Sequence, residues 1–268
     1  MCPQALIFCG VKCLFGAWRE PYLVPIAGSV LELAQVTCDE AQNLIDRVPN
    51  DQHMEWFQRT ALLNAECSNL IENEARTEFI DGHRQAELAM EKAGFCGRDA
   101  LCSTALREVH ERFYLGIPGP TVEPGAWRKS NVQIQNHVPP RWEAVPQFLK
   151  RIDEVYLRPG RSMAELLVAV AAAHHRCQWV HPFEDGNGRA VRLQSQLALR
   201  PLGSSFWSLS RGLFIRRESY YQMLAVADTS RLSDLDGRGN LSERRLIDWV
   251  QFFISVCRKE IQWSIDRL

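Results

Sequence analysis

His181-Pro182-Phe183-Glu184-Asp185-Gly186-Asn187-Gly188-Arg189-Ala190-Val191-Arg192 is the stretch around which this 268-residue chain is organised. It sets an imidazole where an apolar helix must stop before Pro182, then an acid, two glycines around an asparagine, and the start of another helix. Glycines admit positive φ and let successive N–H groups face outward, and the following helix adds the positive end of its dipole. Such a segment is an anion cradle. Arg189 and Arg192 lie on one face of that helix and can fork onto further phosphate oxygens. Asp185 is a hard oxygen ligand suited to Mg²⁺ beside a polyphosphate, and His181 is suited to act as a general base. These parts belong together if the substrate is a nucleotide. No glycine is followed by lysine, and neither Gly-x-Gly continues as Gly-x-Gly-x-x-Gly, which excludes the two commonest nucleotide loops. A surface turn beside a packed histidine is the plainer alternative, and the co-occurrence of all these residue types in order weighs against it.

The surrounding periodicity is mostly helical. Phe57, Leu62, Leu63, Leu70 and Ile71 predict one helix over about 54–80, and Leu106, Val109 and Phe113 another over 104–114. Glycines and prolines make 115–126 a loop. In the stretch 127–138, Val132 and Ile134 alternate with Asn131, Gln133 and Gln135, which predicts a short strand or hairpin closed by Pro139-Pro140. Ser162 and Glu165 form a capping box at the head of a long apolar helix. Further helices are expected over 187–199, 217–227 and 242–265, the last lined by Leu246, Val250, Phe253, Cys257 and Ile261. The expected architecture is mostly α, a helical core with one short β-hairpin. Residues 1–50 are expected to be an N-terminal extension of unknown role, with 51–268 forming one domain.

Composition narrows the function classes. The chain is 46% hydrophobic and 24% charged, enough to bury a sizeable core. Lys+Arg of 31 against Asp+Glu of 32 gives a net charge of −1, so no bulk attraction to nucleic acid or anionic membrane is expected. Of the basic residues 26 are arginine, whose planar fork suits phosphate and carboxylate. Nine scattered cysteines include no Cys-x-x-Cys pair, which leaves no zinc-ribbon or thioredoxin framework. The apolar run Ala5–Trp18 is interrupted by Lys12 and is too short to span a bilayer, so neither signal peptide nor anchor is expected, and a cytoplasmic location is.

The 181–192 segment resembles the signature of the Fic family of nucleotide-dependent protein-modifying enzymes, with every principal motif position present. Ala173-His174-His175-Arg176, Tyr220-Tyr221 and Leu235–Glu243 also resemble bacterial Fic proteins, so the likeness runs from about residue 54 to 268. The resemblance implies a helical Fic fold and transfer of AMP from ATP, with Mg²⁺, to a hydroxyl of a target protein. His181 would then deprotonate the hydroxyl and Asp185 would hold Mg²⁺. Gly186, Asn187 and Gly188 would cradle the α-phosphate, Arg189 the β-phosphate and Arg192 the γ-phosphate. Val132, Gln133, Ile134 and Gln135 match the family's flap, an edge to which a target's backbone adds as a strand. Tyr220, Tyr221 and Asp228 fall where the family packs the adenosine, Asp228 replacing an asparagine of some members. The implied partner is a target protein, with no nucleic acid or membrane, and a homo-oligomer is left open.

Ser68-Asn69-Leu70-Ile71-Glu72-Asn73 resembles the family's inhibitory pattern, in which Ser or Thr is followed four residues later by Glu and then Gly or Asn. On a helix Ser68 and Glu72 share a face. A solvated helical face is the plain alternative. The resemblance implies that Glu72 competes with a phosphate for Arg192. Two other enzymatic outcomes stay open, transfer of a different phosphate-containing group and removal of AMP, as does an inactive Fic-like interaction module. The Gly-Asn-Gly core favours AMP. His174-His175 is expected to pack rather than to bind metal, and Asp236–Gly239 to form a turn.

Overall fold

The computed structural model of the protein describes residues 7–8, 11–12, 28–119, 122–134, 136–158, 162–236 and 241–268. Within these residues lie ten α-helices: α1 (Gly28–Arg47), α2 (His53–Ile71), α3 (Thr77–Lys92), α4 (Ser103–Leu115), α5 (Val145–Tyr156), α6 (Met163–Val180), α7 (Asn187–Ala198), α8 (Leu209–Ile215), α9 (Arg217–Ala227) and α10 (Glu243–Ile265). Two-residue strands Ile7–Phe8 and Val11–Lys12 pair antiparallel. The rest of the Ala5–Trp18 run lies outside the described residues. No helix among the described residues is long and apolar enough to cross a membrane.

α6 and α7 are the centre. α6 is apolar on every side, including five consecutive buried positions from Ala169 to Ala173, and such a helix is stable only when surrounded. α1, α5 and α10 pack around it, and α2, α3, α4 and α8 contact α7. Trp249 of α10 is buried, packs tilted against the His174 and Phe253 rings, and donates from Nε1 to the Ala171 carbonyl at 2.7 Å. α7 is equally buried but polar, so its side chains need partners. Gln194 donates to the Cys102 carbonyl at 3.0 Å, Ser195 to the Val191 carbonyl at 2.8 Å, and Gln196 bridges the Trp207 carbonyl and the Leu209 amide. Ser162 and Ser242 accept from the amides three residues on and so cap α6 and α10. The apolar face of α1 joins the same core through Val30, Ala34, Ala41 and Leu44.

Two expectations are corrected. The predicted helix over 54–80 breaks after Ile71, because Asn73 turns left-handed at φ 57° and α3 restarts only at Thr77. Apolar spacing continues across that break, which hides it. The predicted hairpin over 127–138 reduces to one antiparallel bridge, Ile134 to His137, with no strand among the described residues there. The backbone before it is tied elsewhere: the Arg128 amide donates to the Pro182 carbonyl at 2.8 Å and the Lys129 amide to Glu184 Oε1 at 3.1 Å. Val132 and Gln133 carry no ladder, and Gln135 lies outside the described residues.

The core also encloses His83, His110 and His174, and His181 is partly buried beside it. Burial pushes the pKa of His83 down to about 3, that of His110 and His181 to about 4, and that of His174 well below its usual value. The unfolded chain therefore takes up protons, from about pH 6.5 down to about 4, that the native state refuses, and stability falls as pH drops through that window. Buried Glu87 and Glu260, whose raised values leave the native state holding protons, oppose this in part. The expected outcome is a lower thermal midpoint at pH 5 than at pH 7, with net proton uptake on unfolding. Equal midpoints would contradict it.

Candidate active site

The turn from α6 to α7 is held from several directions. His181 caps α6 in the left-handed region at φ 50°, a conformation costing about 1–3 kcal/mol in a non-glycine residue, and its carbonyl accepts from Arg128 Nε at 2.7 Å. Phe183 is fully buried and stacks on His110 of α4 at 3.8 Å and 7°. Asn187 closes the turn on itself: Oδ1 accepts from the Phe183 amide and Nδ2 donates to the Phe183 carbonyl, both at 2.9 Å. Its side chain thus builds the loop, leaving the helix N-terminal amides to face an anion. Gly186 sits at φ 78°, where a Cβ would come within 2.7 Å of the Tyr114 ring.

Asp185 is the loop's acid. Its Oδ2 accepts from Tyr114 Oη at 2.7 Å and from Arg189 Nη2 at 2.8 Å, while the carboxylate stays 56% exposed. Burial works to raise its pKa, but the Arg189 charge, the Tyr114 hydroxyl and the Gly186 amide outweigh it and hold the group below the ordinary value. Arg189 is buried under the Phe79 and Phe113 rings, 4.9 and 5.1 Å from its guanidinium carbon. A single ionised, half-exposed carboxylate fits a Mg²⁺ that takes its other ligands from substrate phosphates and water. Accordingly, no group of three or more metal-ligating side chains occurs among the described residues.

α2 delivers a second carboxylate to the same loop. Arg192 is 1% exposed and is enclosed by α2: Nε donates to Ser68 Oγ at 2.9 Å, and Nη2 to the Ser68 carbonyl at 2.9 Å and to Glu72 Oε1 at 2.7 Å. Glu72 also lies directly over the cradle, since a Cβ on Gly188 would fall 2.2 Å from Oε1. Asn73 does not enter the site and accepts from Arg217 Nη1 at 2.8 Å.

Two adjoining cavities meet there. One, of about 470 Å³, is lined by Glu72, His181, Asp185, Gly186, Gly188 and Arg189. The other, of about 240 Å³, runs from Glu72, His181 and Arg192 toward Tyr220, Tyr221 and Asp228. His181, Ile134, Glu72 and Gly188 line both. Val132 and Gln133 line neither. Tyr220 is fully buried and bonds His174 at 2.9 Å, forming a wall behind the half-exposed Tyr221, whose hydroxyl donates to the Ile71 carbonyl at 3.2 Å. Asp228 is engaged by two imidazoles, His175 Nε2 at 2.8 Å and His137 Nδ1 at 3.3 Å. His174 packs between Ser195 and Tyr220. Asp236 caps the approach to α10 by accepting from the Arg244 and Leu232 amides and the Ser242 hydroxyl, and 237–240 lie outside the described residues.

Sequence reasoning missed three supports. Arg128 is 1% exposed and donates to the carbonyls of His181, Ser130 and Pro140, joining the 127–140 segment to the loop. His110 accepts at Nδ1 from the Gly125 amide, which places its proton on Nε2, the donor to the Asp185 carbonyl at 3.1 Å. Tyr114 completes the set. His110 and Tyr114 are four apart on α4, a polar pair beside an apolar stripe, and that spacing was the only available signal.

Comparison with known proteins agrees with this geometry. Residues 100–199 match the Fic/DOC family model. The chain is 30% identical over 121 residues to protein adenylyltransferase Fic of Nematostella vectensis, covering 45% of this chain and 27% of that one. It is 34% identical over 131 residues to the protein of that name from Culex quinquefasciatus, covering 48% and 25%. The chain thus spans about a quarter of the length of these curated relatives. A Fic family protein from Desulfovibrio desulfuricans superposes with a TM-score of 0.70 over 93% of this chain and 77% of that one at 21% identity. Fic-1 from C. elegans does so at 0.64 over 88% and 71% at 20% identity. The fold is that of Fic proteins, and the segment that matches the Fic/DOC family model holds the 181–192 loop.

Proposed function

We propose that this chain is a protein adenylyltransferase that moves AMP from ATP to a Ser, Thr or Tyr hydroxyl of a target protein, and that Glu72 holds it off. The observation that carries the reading is the Glu72 carboxylate, which lies against Gly188 in the anion cradle and takes Nη2 of the buried Arg192. An anion of the protein's own stands where a nucleotide phosphate would bind. The names of the matched relatives support the chemistry.

In the working arrangement, the amides of Gly186 to Gly188 at the head of α7 receive the α-phosphate, Arg189 and Arg192 the outer phosphates, and Tyr221 borders the base. Asp185 would hold Mg²⁺, which supplies charge neutralisation between phosphate oxygens. His181, neutral because burial pushes its pKa down to about 4, accepts the target hydroxyl's proton. The hydroxyl oxygen bonds to the α-phosphorus as the bond to the β-phosphate oxygen breaks, and pyrophosphate leaves with that electron pair. Positioning and charge stabilisation supply most of the rate. The segment around Ile134 borders both cavities and is the proposed edge for the target's backbone.

With Glu72 in place, Nε and Nη2 of Arg192 are already engaged and the Glu72 carboxylate stands between a phosphate and the guanidinium. Removing one partner of a fully buried ion pair costs about 3–5 kcal/mol, a ceiling for this pair because Glu72 is 34% exposed, and each 1.4 kcal/mol of bias toward the closed arrangement lowers the competent fraction about tenfold. With α-labelled ATP and Mg²⁺ in lysate, Glu72→Gly should raise labelling about tenfold or more over wild type, and Glu72→Gly with His181→Ala should abolish it, mass spectrometry identifying +AMP on the labelled band. Equal labelling by wild type and Glu72→Gly would remove the brake; no +AMP adduct on any protein would remove the transferase.

The pH dependence follows from His181. Its neutral form is the base, so activity of Glu72→Gly should stay level from pH 8 down through the ordinary histidine range and fall only toward its value of about 4. A midpoint near 6.5 in the rate profile would show that His181 is not held neutral by burial.

A further inference from the structure

Tyr114 lies outside the 181–192 segment, yet its hydroxyl meets two of that segment's charged groups. It donates to Asp185 Oδ2 at 2.7 Å and accepts from Arg189 Nη2 at 2.9 Å, while the same Nη2 donates to the same Oδ2 at 2.8 Å. The directions are fixed by chemistry. A guanidinium only donates and an ionised carboxylate only accepts, so the phenol must stand between them in both capacities. The ring is 2% exposed, packs edge-on to Phe79 and Phe113, and fills the space beside Gly186 that a Cβ would need. The core therefore sets its position, and the carboxylate adapts to it.

That arrangement leaves Asp185 asymmetric. Oδ2 carries both side-chain hydrogen bonds, and the carboxylate, half exposed, borders the 470 Å³ cavity at the head of α7. Arg189 engages it through one nitrogen, Nη2, although a guanidinium four residues along can fork onto both carboxylate oxygens. We propose that Tyr114 is a positioning residue for the divalent cation: its hydroxyl pins Oδ2, keeps Arg189 from closing over both oxygens, and so presents Oδ1 to the polyphosphate cavity. This rests on the reading of Asp185 as the cation's ligand. Partners that orient a ligating carboxylate typically change metal affinity about 10–100-fold when removed.

Tyr114→Phe deletes the hydroxyl and keeps the ring against Gly186. In the Glu72→Gly background, Mn²⁺ binding is followed by electron paramagnetic resonance with a non-hydrolysable ATP analogue, and the binding of analogue plus Mn²⁺ without protein is subtracted. The expected result is Mn²⁺ affinity weakened about tenfold or more, a cooperative thermal transition, and unchanged binding of the analogue without metal. In the labelling assay the Mg²⁺ concentration for half-maximal rate should rise by the same factor, while kcat returns at saturating Mg²⁺. A purely packing role would not produce that split. Unchanged Mn²⁺ affinity in Tyr114→Phe, with Asp185→Asn abolishing the protein-dependent signal, overturns the role of Tyr114 alone. A signal indifferent to Asp185→Asn overturns the cation-ligand reading and the proposal with it.

Discussion

A guanidinium that is 1% exposed must be met by acceptors, and Arg192 is met by Ser68 of α2 and by Glu72 at the end of that helix. Desolvating a charge without a partner costs several kcal/mol, so this position always holds an anion or a set of carbonyl and hydroxyl oxygens. Ser68 supplies two neutral acceptors and Glu72 the charge. The helix that carries them must therefore dock beside α7, must end near Glu72, and must turn away at Asn73. The architecture on that side of the molecule follows from matching one buried cation.

Arg189 solves the same problem differently. Its charge is matched inside its own turn by Asp185, shared through Tyr114, and covered by two aromatic rings. The two arginines thus differ in how readily they can be given to a ligand. Arg189 is locked into the loop, while the charged partner of Arg192 comes from a helix end that is 34% exposed at the Glu72 side chain. On the proposed reading, that difference makes Arg192 the contested group and leaves Arg189 to meet a phosphate from a fixed position, while burial keeps His181 neutral where the two cavities meet.

The part of the site legible in the sequence is the part encoded locally. Cradle glycines, a helix start, and arginines on one face occur within twelve residues, and the Ser162 and Ser242 caps sit next to the helices they begin. Ser68 and Glu72 were legible as a pair because helical spacing puts them on one face. What was hidden is polar support supplied across the fold. Arg128, His110 and Tyr114 reach the loop from 53, 75 and 71 residues away, and beyond the four-residue spacing of His110 and Tyr114 nothing in their own neighbourhoods marks them. Phe79 resumes the apolar pattern after Asn73 and masks the break, and alternation of apolar and polar residues at 131–135 does not require a ladder. At 127–138 the backbone instead spends its hydrogen bonds on the active loop.

The central claim is that Glu72 and a nucleotide phosphate compete for Arg192, and a double-mutant cycle on ATP binding tests it most directly. Equilibrium affinity for ATP with Mg²⁺ would be measured by calorimetry for wild type, Glu72→Gly, Arg192→Ala and the double variant. The account predicts that Glu72→Gly tightens ATP binding in the wild-type background and has little effect once Arg192 is gone. An equal gain from Glu72→Gly in both backgrounds would contradict it.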